Sequence, residues 1–286
     1  MHLPALQTAN KFFTVLELDY SPKLADWLGL DLTASANLAV LEQVNQQLWQ
    51  ELAQADTITV LDPVYTFKLL KTQSSLSALA LRLSQLTPAV DPLAVPRLIP
   101  NWGVEEVANN QALAKLELYY HPAEEQALAK KQLVAELADY CQYLQIPLLL
   151  KLVIYTPAEE EFELTKFQAN QLEAVQEFRQ LAQFLALQYP QEALACATLT
   201  AELDIPWLLN TDGIDYQGGK EMLRVALDNG AQGMMMGELL WQDLAEFKQK
   251  DQSPDLTAIQ DFIKTTVRDR VLELTRIVKE QQPEST

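Results

Sequence analysis

Residues 113–155 read LAKLELYYHPAEEQALAKKQLVAELADYCQYLQIPLLLKLVIY. The segment contains one complete structural unit. Its first eight residues alternate cleanly, with Lys115, Glu117 and Tyr119 on one face, as a strand requires. Residues 123–145 follow the spacing of a long amphipathic helix. Residues 147–155 are an apolar run interrupted only by Lys151. A strand, a crossover helix and a second strand make a βαβ unit, and the two strands are therefore parallel.

The same unit recurs outward in both directions. Short apolar runs at 14–20, 57–63 and 95–100 precede it, separated by helical sequence that includes 75–86. Runs at 183–190, 205–213 and 232–238 follow it, although 183–190 also fits a continued helix. Eight strands alternating with helices in 286 residues predict a (β/α)8 TIM barrel. A doubly wound open sheet is the alternative, but no GxGxxG or P-loop pattern supports a nucleotide fold. With no Gly/Pro/Ser linker to split the chain, residues 1–280 are expected to form one domain, and 281–286 a flexible tail. The C-terminal stripe of Ile259, Phe262, Ile263, Val267 and Val271 either covers the barrel, the commoner use, or meets a second copy in a homo-oligomer.

The formal charge of −18 repels phosphates and anionic lipid. Nucleic acid and membrane partners are therefore not expected. No apolar run approaches the roughly 20 residues that span a bilayer. The first residues, MHLPALQTANKFF, lack the basic and apolar regions of a signal peptide. Two cysteines without metal-ligand spacing and two histidines, His2 and His121, predict a reduced cytoplasmic protein with no metal or other cofactor.

Barrel active sites lie at the C-terminal strand ends. Polar residues collect there: Glu17 and Asp19 on strand one, Asp62 on strand two, and Lys115, Glu117 and Tyr119 on strand four. Strand five contributes Lys151 and Tyr155, strand seven Asn210 and Asp212, and strand eight Glu238. Burying the Lys151 ammonium without a partner is costly. Two lysines on adjacent strands suggest Schiff-base chemistry, because a desolvated lysine beside a second cation loses its proton more easily. The structural alternative pairs each lysine with a barrel carboxylate. The turn DYQGGKEM after strand seven occupies the usual phosphate position of barrels, but Asp212, Asp215 and Glu238 make it acidic.

In order and spacing, these segments resemble the bacterial class I tagatose-1,6-bisphosphate aldolases. The resemblance rests on TVLELDYSPKL with Asp19, VLDPVY with Asp62, Pro63 and Tyr65, RLIPNW followed by ALAKLELYY with Lys115, IPLLLKLVIY, DIPWLLNTDGI and GMMMGELLW. It implies a (β/α)8 barrel and an aldolase that works through a Schiff-base lysine. The departures are specific. The family's strand-five catalytic glutamate is matched by Lys151. Its strand-six lysine and glutamate are matched by Ala186 and Gln188, and the loop that follows is shorter. Its strand-eight phosphate-binding Gly-Arg becomes Gly237-Glu238, and the arginine after the first-strand Asp becomes Ser21 or Pro22. A glutamate cannot replace the bidentate grip of arginine on phosphate.

The resulting expectation is an aldolase-like lyase for a small carbonyl or sugar compound. Lys151, Lys115, Glu117 and Asp19 would be catalytic, with Lys115 lowering the pKa of Lys151 and Glu117 or Asp19 moving the proton. Asp62, Tyr119, Tyr155, Asn210, Asp212 and Glu238 would bind substrate. The competing expectation is a catalytically inactive barrel that binds a metabolite or regulates a partner.

Overall fold

The computed structural model describes residues 12–53, 57–72, 78–86 and 91–280. The leader reading at the N-terminus, His2 and the tail 281–286 therefore fall outside the described residues. Eight parallel strands close in chain order: β1 (Phe13–Glu17), β2 (Ile58–Leu61), β3 (Ala78–Arg82), β4 (Leu113–Tyr120), β5 (Leu148–Ile154), β6 (Phe184–Gln188), β7 (Trp207–Asn210) and β8 (Gly233–Met236). Alternation places Val15, Val60, Ala80, Leu113, Leu149, Phe184, Leu208 and Met235 in an apolar cluster that fills the lower barrel. Phe13 packs edge-on against Phe184 there at 5.1 Å between centroids. The outward residues, among them Leu16, Leu61, Leu81, Leu116 and Leu150, join the larger core under the helices. Because both faces are buried, these strands read as nearly continuous apolar runs.

The ring closes where β1 meets β8. Gly233 pairs with Phe13 at a φ of 144°, and a Cβ there would lie 1.8 Å from the Phe13 carbonyl oxygen. Only glycine fits this approach.

Helices α1 (Ser21–Leu28), α2 (Ser35–Leu52), α3 (Val104–Asn109), α4 (Ala127–Leu144), α5 (Leu164–Phe178), α6 (Ala193–Ala201), α7 (Tyr216–Asp228) and α8 (Glu238–Trp241) surround the strands. The C-terminal stripe continues through α9 (Leu256–Phe262), a π turn at Ile263–Val267 and α10 (Arg268–Glu280). Ile259, Ile263, Val267 and Val271 are fully buried against α2, α7 and β1. The stripe thus covers the barrel, each side chain contributing about 1.5–3 kcal/mol of gross burial.

One strand differs from the sequence expectation. Residues 75–86 were expected to be helical and 95–100 to form strand three. Instead β3 is Ala78–Arg82, and Leu98 makes only an isolated antiparallel bridge to Ser84 in the loop that follows. ALALR is rich in strong helix formers. Tertiary packing overrides that preference, because Ala80 fits the narrow barrel interior and Leu81 its helix-covered outside. The correction matters for the site, since it points Arg82 inward.

Candidate active site

Above the apolar floor the inward face becomes charged. Glu17 and Asp19 from the β1 end, Arg82 from β3, Lys115 and Glu117 from β4, and Lys151 from β5 are all buried. Lys115 Nζ donates to Glu17 Oε1 (2.9 Å) and Asp19 Oδ2 (2.7 Å). The Arg82 guanidinium joins Asp19 (2.9 Å) to Glu117 (3.0 Å). Lys151 Nζ meets both Glu17 oxygens at 3.0 Å, Tyr20 Oη at 2.5 Å and Asp212 Oδ2 at 2.5 Å.

Tyr20 is the hub of this cluster. Its hydroxyl donates to Glu117 Oε2 (2.9 Å), and its ring lies under three cations, with Lys151 at 4.8 Å, Lys115 at 5.0 Å and Arg82 at 5.6 Å from its centroid. Cations are attracted to the ring face by its quadrupole. Neither Tyr20 nor Arg82 was among the site residues expected from sequence. Tyr20 was hidden because strand alternation would turn it away from Glu17 and Asp19, whereas β1 ends at Glu17 and Tyr20 caps α1; Arg82 was hidden because its strand reads as helix.

The electrostatics correct one expectation directly. Lys115 does not make Lys151 a weak base. Burial alone would lower the Lys151 pKa, but Asp212, Glu17 and Glu117 outweigh it and push the value well above the ordinary lysine range. These carboxylates favour the charged form of Lys151. Burial raises Glu17 and Asp212 despite their lysine partners. Asp212 keeps 21% of its side chain exposed, so water moderates that effect. Burial opposes ionisation of Asp19 and Glu117 as well, but Lys115 with Arg82, and Arg82 with both lysines, hold them below the usual carboxylate range.

The remaining predicted residues divide. Asn210 and Asp212 adjoin the cluster, Asn210 Oδ1 accepting from the Asp212 N–H at 3.2 Å. Tyr119 flanks Glu117 at the mouth, and burial, reinforced by the Glu117 and Asp212 charges, pushes its phenol well above the ordinary tyrosine range. Asp62 instead closes its own turn. Its Oδ1 accepts from the Val64 and Tyr65 N–H groups at 2.8 Å, and Oδ2 accepts from Thr66 Oγ1 at 3.2 Å. Tyr155 points to a separate group, donating to Glu124 at 2.8 Å beside the buried Lys130. Glu238 is buried in an ion pair with Lys23. The Asp215 side chain caps α7 by accepting from the Gly218 N–H at 2.8 Å, so a carboxylate already occupies the helix terminus where a phosphate would bind.

A cavity of about 290 Å³ opens beside the cluster, between Arg82, Glu117 and Tyr119 on one side and residues 84–86 and 91–97 on the other. Lys151 does not line it; it lies one strand away, paired in register with Glu117. No group of three or more His, Cys, Asp or Glu among the described residues is arranged to hold a metal ion. No described helix is long and apolar enough to cross a membrane.

No family model matches the sequence, and no curated protein matches it. Solved structures do. A Schiff base forming fructose-1,6-bisphosphate aldolase aligns over 96% of this chain and 99% of its own, at 14% identity and a TM-score of 0.63. An archaeal fructose-1,6-bisphosphate aldolase, with its catalytic Lys bound to the carbinolamine intermediate, aligns over 96% and 98%, at 13% identity and a TM-score of 0.67. The fructose-bisphosphate aldolase from Slackia heliotrinireducens aligns over 100% and 90%, at 11% identity and a TM-score of 0.64. At these identities the likeness establishes the (β/α)8 barrel. These neighbours are fructose-bisphosphate enzymes, so the narrower resemblance to tagatose-bisphosphate aldolases gains no support from them.

Proposed function

We propose that this chain is an aldolase-like lyase acting on a small, unphosphorylated carbonyl compound through a Schiff base on Lys151. The observation that carries the reading is the setting of Lys151: an amine at the C-terminal mouth of a barrel shared with Schiff-base aldolases, with proton acceptors in direct contact. Glu17 is the carboxylate suited to take its proton, because transfer across the 3.0 Å contact turns a buried ion pair into a neutral pair. The freed amine attacks the carbonyl carbon, and its remaining extra proton passes to the carbonyl oxygen. Glu17 then returns its proton, water leaves, and a protonated imine remains. Tyr20 Oη, 2.5 Å from Nζ, is a hydroxyl placed to stabilise the oxygen that departs. Absence of phosphate from the substrate is supported by Glu238 at the expected arginine position and by the self-capped α7.

One observation favours the second reading, a barrel that binds without catalysing. Lys151 is fully buried, and its ammonium is already surrounded by Glu17, Tyr20 and Asp212. Incubation with dihydroxyacetone, its phosphate or pyruvate, followed by borohydride reduction and peptide mapping by mass spectrometry, separates the two. The lyase reading expects an adduct on Lys151 that is lost in Lys151→Ala. Absence of any adduct on a folded wild-type protein sinks it and leaves the binding barrel.

A further inference from the structure

The cavity beside the charged cluster has a chemistry of its own. Its barrel wall is lined by Arg82 and Glu117, which are paired with each other at 3.0 Å, and its loop wall by Arg97 and Asp91. Positive and negative lining groups are equal in number, so the lining itself favours neither an anion nor a cation. Gln85 and Tyr119 add groups that both donate and accept. A hydroxyl also does both, so neighbouring hydroxyls can accept from a guanidinium and donate to a carboxylate at once. Val95 and Pro96 give the same cavity an apolar side suited to the C–H face of such a molecule.

The described residues of the loop wall are tied to one another and to the barrel. Gln85 and Arg97 are joined backbone to backbone at 2.8 Å, and Ile99 N–H donates to the Leu83 carbonyl at 2.9 Å. The fully buried Lys130 of α4 donates to the Pro92 carbonyl (2.6 Å), the Tyr119 carbonyl (2.8 Å) and Glu124 (2.7 Å). One ammonium thus ties the loop to the end of β4. Burying a lysine is costly unless all its hydrogens are used, and here they hold the two walls of the cavity at a set separation. Arg97 on the rim is exposed.

We infer that this cavity binds a neutral polyhydroxylated molecule of sugar size, with Arg97 and Asp91 on the loop and Arg82 and Glu117 on the barrel as its recognition groups. At about 290 Å³ it lies at the small end of ligand pockets, which run from roughly 300 Å³ upward. The inference goes beyond the lyase reading and stands apart from it, because Lys151 does not line this cavity; it puts recognition on the described residues of the β3–α3 loop, away from the strand-seven and strand-eight ends.

The test is a saturation-transfer NMR titration with D-xylose and with dihydroxyacetone, using pyruvate and fructose-1,6-bisphosphate as competitors. Wild-type protein should bind the neutral compounds, and neither anion should displace them. Arg97→Ala and Gln85→Ala, both at exposed positions outside the buried cluster, should each weaken binding, Arg97→Ala by about tenfold for one lost charge-assisted hydrogen bond. No binding of either neutral compound, equal affinity in Arg97→Ala, or displacement by pyruvate overturns the inference. The two readings fail separately. Arg97-dependent binding without a borohydride adduct keeps this site and removes the lyase. An adduct on Lys151 that forms equally well in Arg97→Ala keeps the lyase and removes this site.

Discussion

Substituting Asp62 with asparagine should make the protein more stable at neutral pH. The Asp62 carboxyl is 2% exposed, and burial pushes its pKa from 3.8 up to about 6, against the lowering effect of the Tyr65 and Val64 N–H groups. The difference is about 2 pH units, and at ~1.36 kcal/mol per unit the penalty is ~3 kcal/mol. Because the folded pKa is the higher one, no penalty exists below about pH 4, where both states are protonated. As pH rises from about 4 to 6 the unfolded chain ionises first and stability is lost; above 6 the loss is constant. Asparagine keeps the turn, since its amide oxygen can accept from Val64 and Tyr65 and its nitrogen can donate to Thr66 Oγ1. Urea unfolding of both proteins at intervals from pH 4 to 8 reads the effect. The two should coincide near pH 4 and diverge until the variant leads by ~3 kcal/mol at pH 7. A difference that does not change with pH, or a variant weaker at pH 7, refutes the assignment of Asp62 as a buried, turn-closing carboxylate.

Two further substitutions probe other parts of the network. Lys130→Met leaves the Pro92 and Tyr119 carbonyls and Glu124 without their shared donor; it should cost about 3–5 kcal/mol and speed hydrogen exchange in residues 91–99 before the rest of the barrel. Uniform exchange across the chain would count against Lys130 as the tie between loop and barrel. Tyr20→Phe keeps the ring under Arg82, Lys115 and Lys151 but removes the hydroxyl shared by Glu117 and Lys151. A loss of about 1–3 kcal/mol in urea unfolding is expected, and no loss would show the hydroxyl to be dispensable.

Residues 113–155 show how far local pattern reaches. Alternation in LAKLELYY and the run around Lys151 specify two buried parallel strands, and both lysines fall on the inward face as the period requires. Repetition of that unit was enough for the barrel. The same reasoning failed at ALALR, where residues that favour a helix are held in a strand by the space available inside and outside the sheet. Arg82 was lost with it, and so was the cavity it floors.

The sequence by itself determined that apolar runs alternating with helices would close into a ring, seven of the eight expected runs being its strands, and that an ammonium would face inward at position 151, because side-chain direction follows from the two-residue period alone. It could not determine what meets that ammonium. Glu17 lies 134 residues away along the chain and Tyr20 lies 131 away, and only closure of the ring brings them within hydrogen-bonding distance. Protonation is set by those neighbours and by burial, both of which are properties of the assembled barrel. The tertiary structure therefore decided that Lys151 is met on all sides by Glu17, Tyr20 and Asp212, and that the open space lies one strand away, over β3 and β4.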